Sequence, residues 1–248
     1  MELLTTYLPQ DRCHALARAG GMPDRCRGAV LFADVSGFTP LSELLARTYG
    51  PRRGAEELTL HLNAVYDALI HEVDALGGSV IAFAGDAITC WFDGDDGRRA
   101  AACGLAMQRV MPRFEVVRMA DGREVMLAVK IAVAAGPARR FVAGDPAIRL
   151  MDVLAGRTLE RVAVAAQATQ RGEVVLDEPT AAPLAGALVW DEERAGTDGA
   201  LVWWCAAYGK RRLRLTSCAP GVERPSHASL AGAVGLCPVE GRPGRIPD

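Results

Sequence analysis

The sequence predicts an α+β domain built on a mixed sheet, and three observations carry that prediction. Short apolar runs, bounded by glycine and acidic residues, read as strands. A long amphipathic pattern between two of them reads as a helix lying on a core. A hairpin pattern then interrupts the alternation of helix and strand, which requires antiparallel pairs and argues against a purely parallel sheet.

Taken in order, residues 1–27 read as a short helical lead, "DRCHALARAG", that ends in a Gly-Gly-Met-Pro break. A strand is expected at 28–34, then a loop and a helix over 40–49. A second helix is expected over 55–76, because Leu58, Leu62, Val65, Leu69, Val73 and Leu76 recur every three or four positions. "GGSVIAFAGDAITCWFDG" reads as two strands around a Gly85-Asp86 turn. A helix over 97–111 and a strong strand at 125–136 follow. "RTLERVAVAAQATQRG" reads as a helix closed by Gly172, and "EVVLDE", "GALVW" and "ALVWWCAAY" supply later strands. Beyond 216 the chain is rich in Pro, Gly and Ser, the composition of a linker or disordered tail. The expected division is therefore a lead at 1–27, a folded domain at 28–215 and a tail at 216–248.

A net charge of -2 and a pI near 6.1 argue against a general nucleic-acid or anionic-membrane binder. No apolar run reaches the roughly 20 residues that span a bilayer, and the N-terminus lacks the pattern of a secretory signal. Seven cysteines stand singly with no C-x-x-C pair, which predicts free thiols in a reducing cytoplasm rather than a zinc or redox site.

The chemistry concentrates in "AVLFADVSGFTPLSELL" (29–45). An apolar strand ends at one carboxylate, Asp34, directly before a helix start. Thr39 can cap a helix whose first residue is Pro40, so the loop between presents backbone N–H groups and a positive dipole end, a phosphate-binding arrangement. A carboxylate there would repel phosphate unless a divalent cation lay between them, which makes Asp34 a candidate magnesium ligand. Asp86, at the tip of "FAGDA", is a second acid flanked by apolar residues. Either one alone reads as a cap or a turn residue. Together, on neighbouring strand ends, they suit a two-metal site for phosphoryl or nucleotidyl chemistry.

"FADVSGFTPLSE" with "GGSVIAFAGDA" resembles the class III nucleotidyl cyclase catalytic domain, most nearly the first, C1-type cyclase domain of soluble bicarbonate-responsive adenylyl cyclases and their bacterial relatives. "RRGAEEL", "VKIAVAAG" and "EVVLDE" fall in the matching order, so the resemblance runs over about 28–180. It implies a ferredoxin-like βαββαβ core and a head-to-tail pair of domains with active sites between them. It also implies that Asp34 and Asp86 are the catalytic, metal-binding acids for two Mg²⁺ or Mn²⁺ ions. The backbone of Val35, Ser36, Gly37, Phe38 and Thr39 matches the triphosphate cradle, and Lys130 matches a lysine that reaches the terminal phosphate. From the residue alone, Lys130 is an edge-strand lysine reaching solvent. The implied reaction converts ATP to 3′,5′-cyclic AMP and pyrophosphate.

The chain departs from the family in the residues a partner domain contributes. Ala82 stands at the base-recognising lysine, Glu160 at an asparagine and Val164 at an arginine. A homodimer of this chain would therefore hold two metal sites and no transition-state clamp. The chain is expected to work with a complementary C2-type cyclase domain, or else to be a degenerate cyclase-fold module that binds nucleotide or only dimerises. Ala82 and Ala163 also replace the lysine and arginine that soluble cyclases use for bicarbonate. Other patterns carry no assignment. "DGDDGRR" lacks the glycine and glutamate of a calcium loop and reads as a solvated loop, no P-loop is present, and the basic run "GKRRLRL" reads as a strand edge.

Overall fold

The structure is a computed structural model, and it describes residues 8–17, 22–119, 121–145, 148–186, 190–195 and 201–205. The chain runs α1 (Gln10–Ala17), β1 (Arg25–Ser36), α2 (Phe38–Tyr49), α3 (Pro51–Ala75), β2 (Ser79–Ala84), β3 (Ala87–Asp93) and α4 (Arg98–Val110). It continues through β4 (Val116–Arg118), β5 (Glu124–Met126), β6 (Ala128–Asp145), β7 (Arg149–Ala155), α5 (Arg157–Ala168), β8 (Val174–Asp177), the short α6 (Glu178–Ala181), β9 (Trp190–Ala195) and β10 (Leu201–Cys205). The main sheet has the order β2-β3-β1-β6-β8-β10-β9, with β7 paired to β6, while β4 and β5 form a separate small hairpin. β1 pairs antiparallel with β3 and β6, and β6 pairs parallel with β8, so the sheet is mixed as expected. β1, the α2–α3 pair, the β2–β3 hairpin, α4 and β6 reproduce the βαββαβ order of a ferredoxin-like core.

The period of two along β1 explains how the sheet is covered on both faces. Ala29, Leu31, Ala33 and Val35 point into the larger core, with α2, α3 and α4. Val30 and Phe32 point into the smaller one, against Ala132, Ala134, Val162 and Ala165 of β6 and α5. A central strand buried on both sides is continuously apolar, which is why its tail acid stands out in the sequence. α4 lies close on the sheet because it is built of small residues. A Cβ at Gly104 would stand 3.0 Å from a Val174 methyl. The expected stripe on α3 holds: Val65, Leu69 and Val73 are fully buried.

Several expectations require correction. The 40–49 helix begins at Phe38, with Gly37 rather than Thr39 at the cap position and no side-chain cap. Buried Phe38 is drawn into the larger core and lengthens the helix, leaving Thr39 exposed in its first turn. The helix over 157–172 stops at Ala168, with extended Thr169 after it. Gly172 (φ 80°) serves the turn into β8, where its N–H donates to the Val129 carbonyl. The loop at 93–99 is not wholly solvated: Asp95 is buried, and its carboxylate accepts from the Arg99 and Ala100 N–H groups to cap α4. The strand at 125–136 is two elements, β5 and a longer β6. β7, β9 and the small hairpin were not anticipated. "GALVW" lies mostly outside the described residues, as do the basic run at 209–215 and everything beyond 216.

The lead is tied to the domain by buried charge. Arg12 makes a bidentate pair with Asp152 of β7 at 2.9 and 3.0 Å, and Arg140 of β6 also binds Asp152, at 2.8 Å. Arg140 reaches Asp11 as well. Burial opposes ionisation of Asp11, yet the hydrogen bonds and charge of Arg140 outweigh it and hold that carboxyl below its ordinary range.

Candidate active site

The candidate site lies where β1 ends. In the antiparallel register Asp34 faces Ala87 on β3 and Lys130 on β6. One step further, the Val35 N–H donates to the Asp86 carbonyl at 3.0 Å, so the strand ladder continues into the hairpin turn and sets Asp34 and Asp86 on adjoining backbone positions. Gly85, at φ +63°, takes the left-handed turn conformation that brings Asp86 to the tip. Asp86 is exposed, whereas Asp34 is largely covered.

Both charges converge on one hydroxyl. Tyr66 of α3 stands with its ring between Phe38 (centroids 6.2 Å apart) and Phe83 (5.7 Å, edge to face). Its pKa is pushed up to about 12, first by burial and then by the negative charges of Asp86 and Asp34. The two acids therefore share one end of the sheet and one local field.

Lys130 comes to this place by the same register. Its Nζ lies 2.8 Å from Asp34 Oδ2. The ammonium that resemblance assigns to a terminal phosphate thus rests on a metal-ligand candidate in this structure. The loop closes the site from the other side. Gly37 (φ +110°) is enforced by packing, because a Cβ would stand 2.4 Å from the Met126 carbonyl and 2.9 Å from Leu127. The first helical bond of α2 runs from Leu41 N–H to the Gly37 carbonyl, so the Phe38 and Thr39 N–H groups have no acceptor within the helix. Pro40 contributes no donor. The Ser36 hydroxyl is already committed to the Ala128 carbonyl at 3.1 Å, which leaves Ser36 its backbone alone for a ligand.

The donor set fits a hard divalent cation: two carboxylates, no sulfur and no imidazole. Among the described residues no group of three or more His, Cys, Asp and Glu is arranged to hold a metal. A cation held by Asp34 and Asp86 would take its remaining ligands from substrate oxygens and water, the division magnesium favours. The positions assigned to a partner half are spread over β2 and α5. Ala82 is exposed on β2, Glu160 and Ala163 are exposed on α5, and Val164 is half-buried there. Tyr66 was missed in the sequence because it sits one place off the α3 stripe. A hydroxyl-bearing aromatic beside an otherwise aliphatic stripe was the available signal.

Sheet order and helix placement define a class: the fold is that of the class III nucleotidyl cyclase catalytic domains. No family model matches the chain. In sequence it is similar to adenylate cyclase type 10 of Rattus norvegicus, 29% identical over 155 residues, which cover 60% of this chain and 9% of that protein. The matched segment is thus a small part of its relative. In structure it is similar to the adenylyl cyclase CyaB of P. aeruginosa, with a TM-score of 0.59, 18% identity and coverage of 75% of this chain and 96% of that one. A bacterial light-regulated adenylyl cyclase superposes with a TM-score of 0.65 at 13% identity, covering 85% of this chain and 62% of the other. No helix among the described residues is long and apolar enough to cross a membrane.

Proposed function

We propose that this chain is the metal-bearing catalytic half of an adenylyl cyclase, forming 3′,5′-cyclic AMP and pyrophosphate from ATP at an interface with a complementary cyclase domain. The observation that supports the reading is the backbone bond from Val35 to Asp86, which joins the strand end that carries Asp34 to the hairpin turn that carries Asp86, beside a helix start without a side-chain cap. Asp34 and Asp86 would hold the ions; the N–H groups of Phe38 and Thr39 would bind phosphate oxygens at the α2 terminus. When bound, divalent ions supply Lewis-acid activation of the ribose 3′-oxygen and offset charge at the α-phosphate. The 3′-oxygen forms the new bond to the α-phosphorus, the bond to the β-phosphate oxygen breaks, and the 3′-proton passes to solvent. Lys130 would leave Asp34 as the cation arrives and turn its charge to the leaving phosphates. ATP as substrate, rather than GTP, is supported by the likeness to adenylate cyclase type 10.

A second reading, a cyclase-fold module that binds nucleotide or a partner without turnover, is favoured by the apolar or exposed residues at the clamp positions Ala82 and Val164. One assay separates the two. The chain is incubated with ATP and Mn²⁺, alone and mixed with a cyclase domain that carries the lysine and the asparagine–arginine set, and cyclic AMP is measured. Product in the mixture that disappears in Asp34→Asn and Asp86→Asn supports catalysis. Binding of nucleotide with no product in any mixture supports the second reading.

A further inference from the structure

The Tyr66 hydroxyl is buried and has no hydrogen-bond partner among the described residues. That is an unusual position for a phenol, since a phenylalanine would fill the same space between Phe38 and Phe83 without stranding a polar atom. Its ring packs edge to face on Phe83, three residues before Asp86 in the same hairpin, and the hydroxyl feels the negative charges of Asp86 and Asp34. Asp86 itself is exposed on a two-residue turn with a glycine at its first position, so its carboxylate is free to reorient.

We infer that Tyr66 is a positioning residue: its hydroxyl donates to the Asp86 carboxylate when that carboxylate holds a divalent cation, and so fixes the orientation of the ligand. The inference rests on the reading of Asp34 and Asp86 as metal ligands. A carboxylate binding a cation through one oxygen leaves the other oxygen to be oriented by an outer donor, and loss of such a donor weakens metal binding by roughly ten- to a hundredfold. The rings of Phe38 and Phe83 hold the phenol in place before the ion arrives, so little ordering is required of it on binding. In the metal-free chain the same hydroxyl is a liability, and that pairing of effects gives the role a signature which packing alone cannot imitate.

The test compares wild type, Tyr66→Phe, Tyr66→Leu and Asp86→Asn in the full chain. Mn²⁺ affinity is read from the electron paramagnetic resonance of free Mn²⁺, without and with ATP, and thermal melting is recorded without metal. Wild type is expected to bind Mn²⁺, and Asp86→Asn to lose binding. Tyr66→Phe should weaken it about tenfold while melting no lower than wild type without metal. Tyr66→Leu, which also removes the ring, should lower the melting temperature as well. If wild type and Tyr66→Phe bind Mn²⁺ equally while Asp86→Asn does not, the role of Tyr66 is overturned and the metal reading stands. If Tyr66→Phe weakens binding only with ATP present, the hydroxyl serves the nucleotide and the inference is likewise overturned. Absence of Mn²⁺ binding by wild type overturns the metal reading, and this inference with it.

Discussion

Lys130 and Asp34 face each other across β6 and β1, with Nζ 2.8 Å from Oδ2 and both side chains only partly exposed. The ammonium occupies a carboxylate that a cation would need, so in the absence of substrate the two compete. Lys130→Met should therefore strengthen binding of Mn²⁺ alone by about two- to fivefold, the worth of a partly exposed pair. The same change should lower cyclic AMP formation with a complementary domain by about tenfold or more, because the charge proposed to face the leaving phosphates is lost. Metal titration and turnover moving in opposite directions would establish the double role.

Gly37 is the point at which the proposed phosphate cradle is braced by packing. At φ +110°, with the Met126 carbonyl and Leu127 pressed against it, the position has no room for a methyl group. Gly37→Ala is expected to destabilise the chain by about 2 kcal/mol or more, through strain and overpacking together. Urea unfolding gives the stability change. Nucleotide binding should fall in step, because the N–H groups of Phe38 and Thr39 shift with the loop.

Arg140 is fully buried and satisfies two acids, Asp11 and Asp152. Arg140→Met leaves Asp152 with Arg12 alone and takes from Asp11 its guanidinium partner, and breaking a buried pair in this way costs about 3–5 kcal/mol. Denaturation of the variant measures it. The triple variant Arg12→Met, Arg140→Met and Asp152→Leu should recover part of the loss, since it removes the buried charges together instead of leaving one of them stranded.

Asp11 makes part of this attachment dependent on acid. Its folded pKa is lowered, so its contribution is fully present above its ordinary value of 3.8 and disappears as pH falls through the depressed value. Melting temperatures of wild type and Asp11→Asn should therefore differ at neutral pH and converge at strongly acidic pH. A difference that persisted in acid would show that Asp11 acts through packing instead.

The central sheet was readable from the sequence because β1 and β6 are buried on both faces and their apolar runs have no other use. The hairpin was equally readable from its Gly-Asp tip. The missed elements depend on partners far away along the chain. β7, "RLMDVLA", looks unfavourable for a strand with Asp152 at its centre, and becomes one only when Arg12 and Arg140 neutralise that acid. The cap at Gly37 instead of Thr39 was decided by Met126 and Leu127, some ninety residues downstream. Of the site, the acid pair and Lys130 were legible as residues, but the ion pair between Lys130 and Asp34 was not, since it follows from strand register. Tyr66 escaped notice because it stands one place off the α3 stripe, and the burial of its hydroxyl follows from tertiary packing.

The charge cluster joining α1 to the β6–β7 arm has a practical corollary for anyone trimming the gene. A fragment that starts at β1 looks complete by strand count, yet it strips Arg12 and Asp11 from two interior groups that have no route to water. A piece that begins no later than Gln10 keeps the cluster whole, and libraries of shortened versions should show a fall in soluble yield between residues 10 and 13.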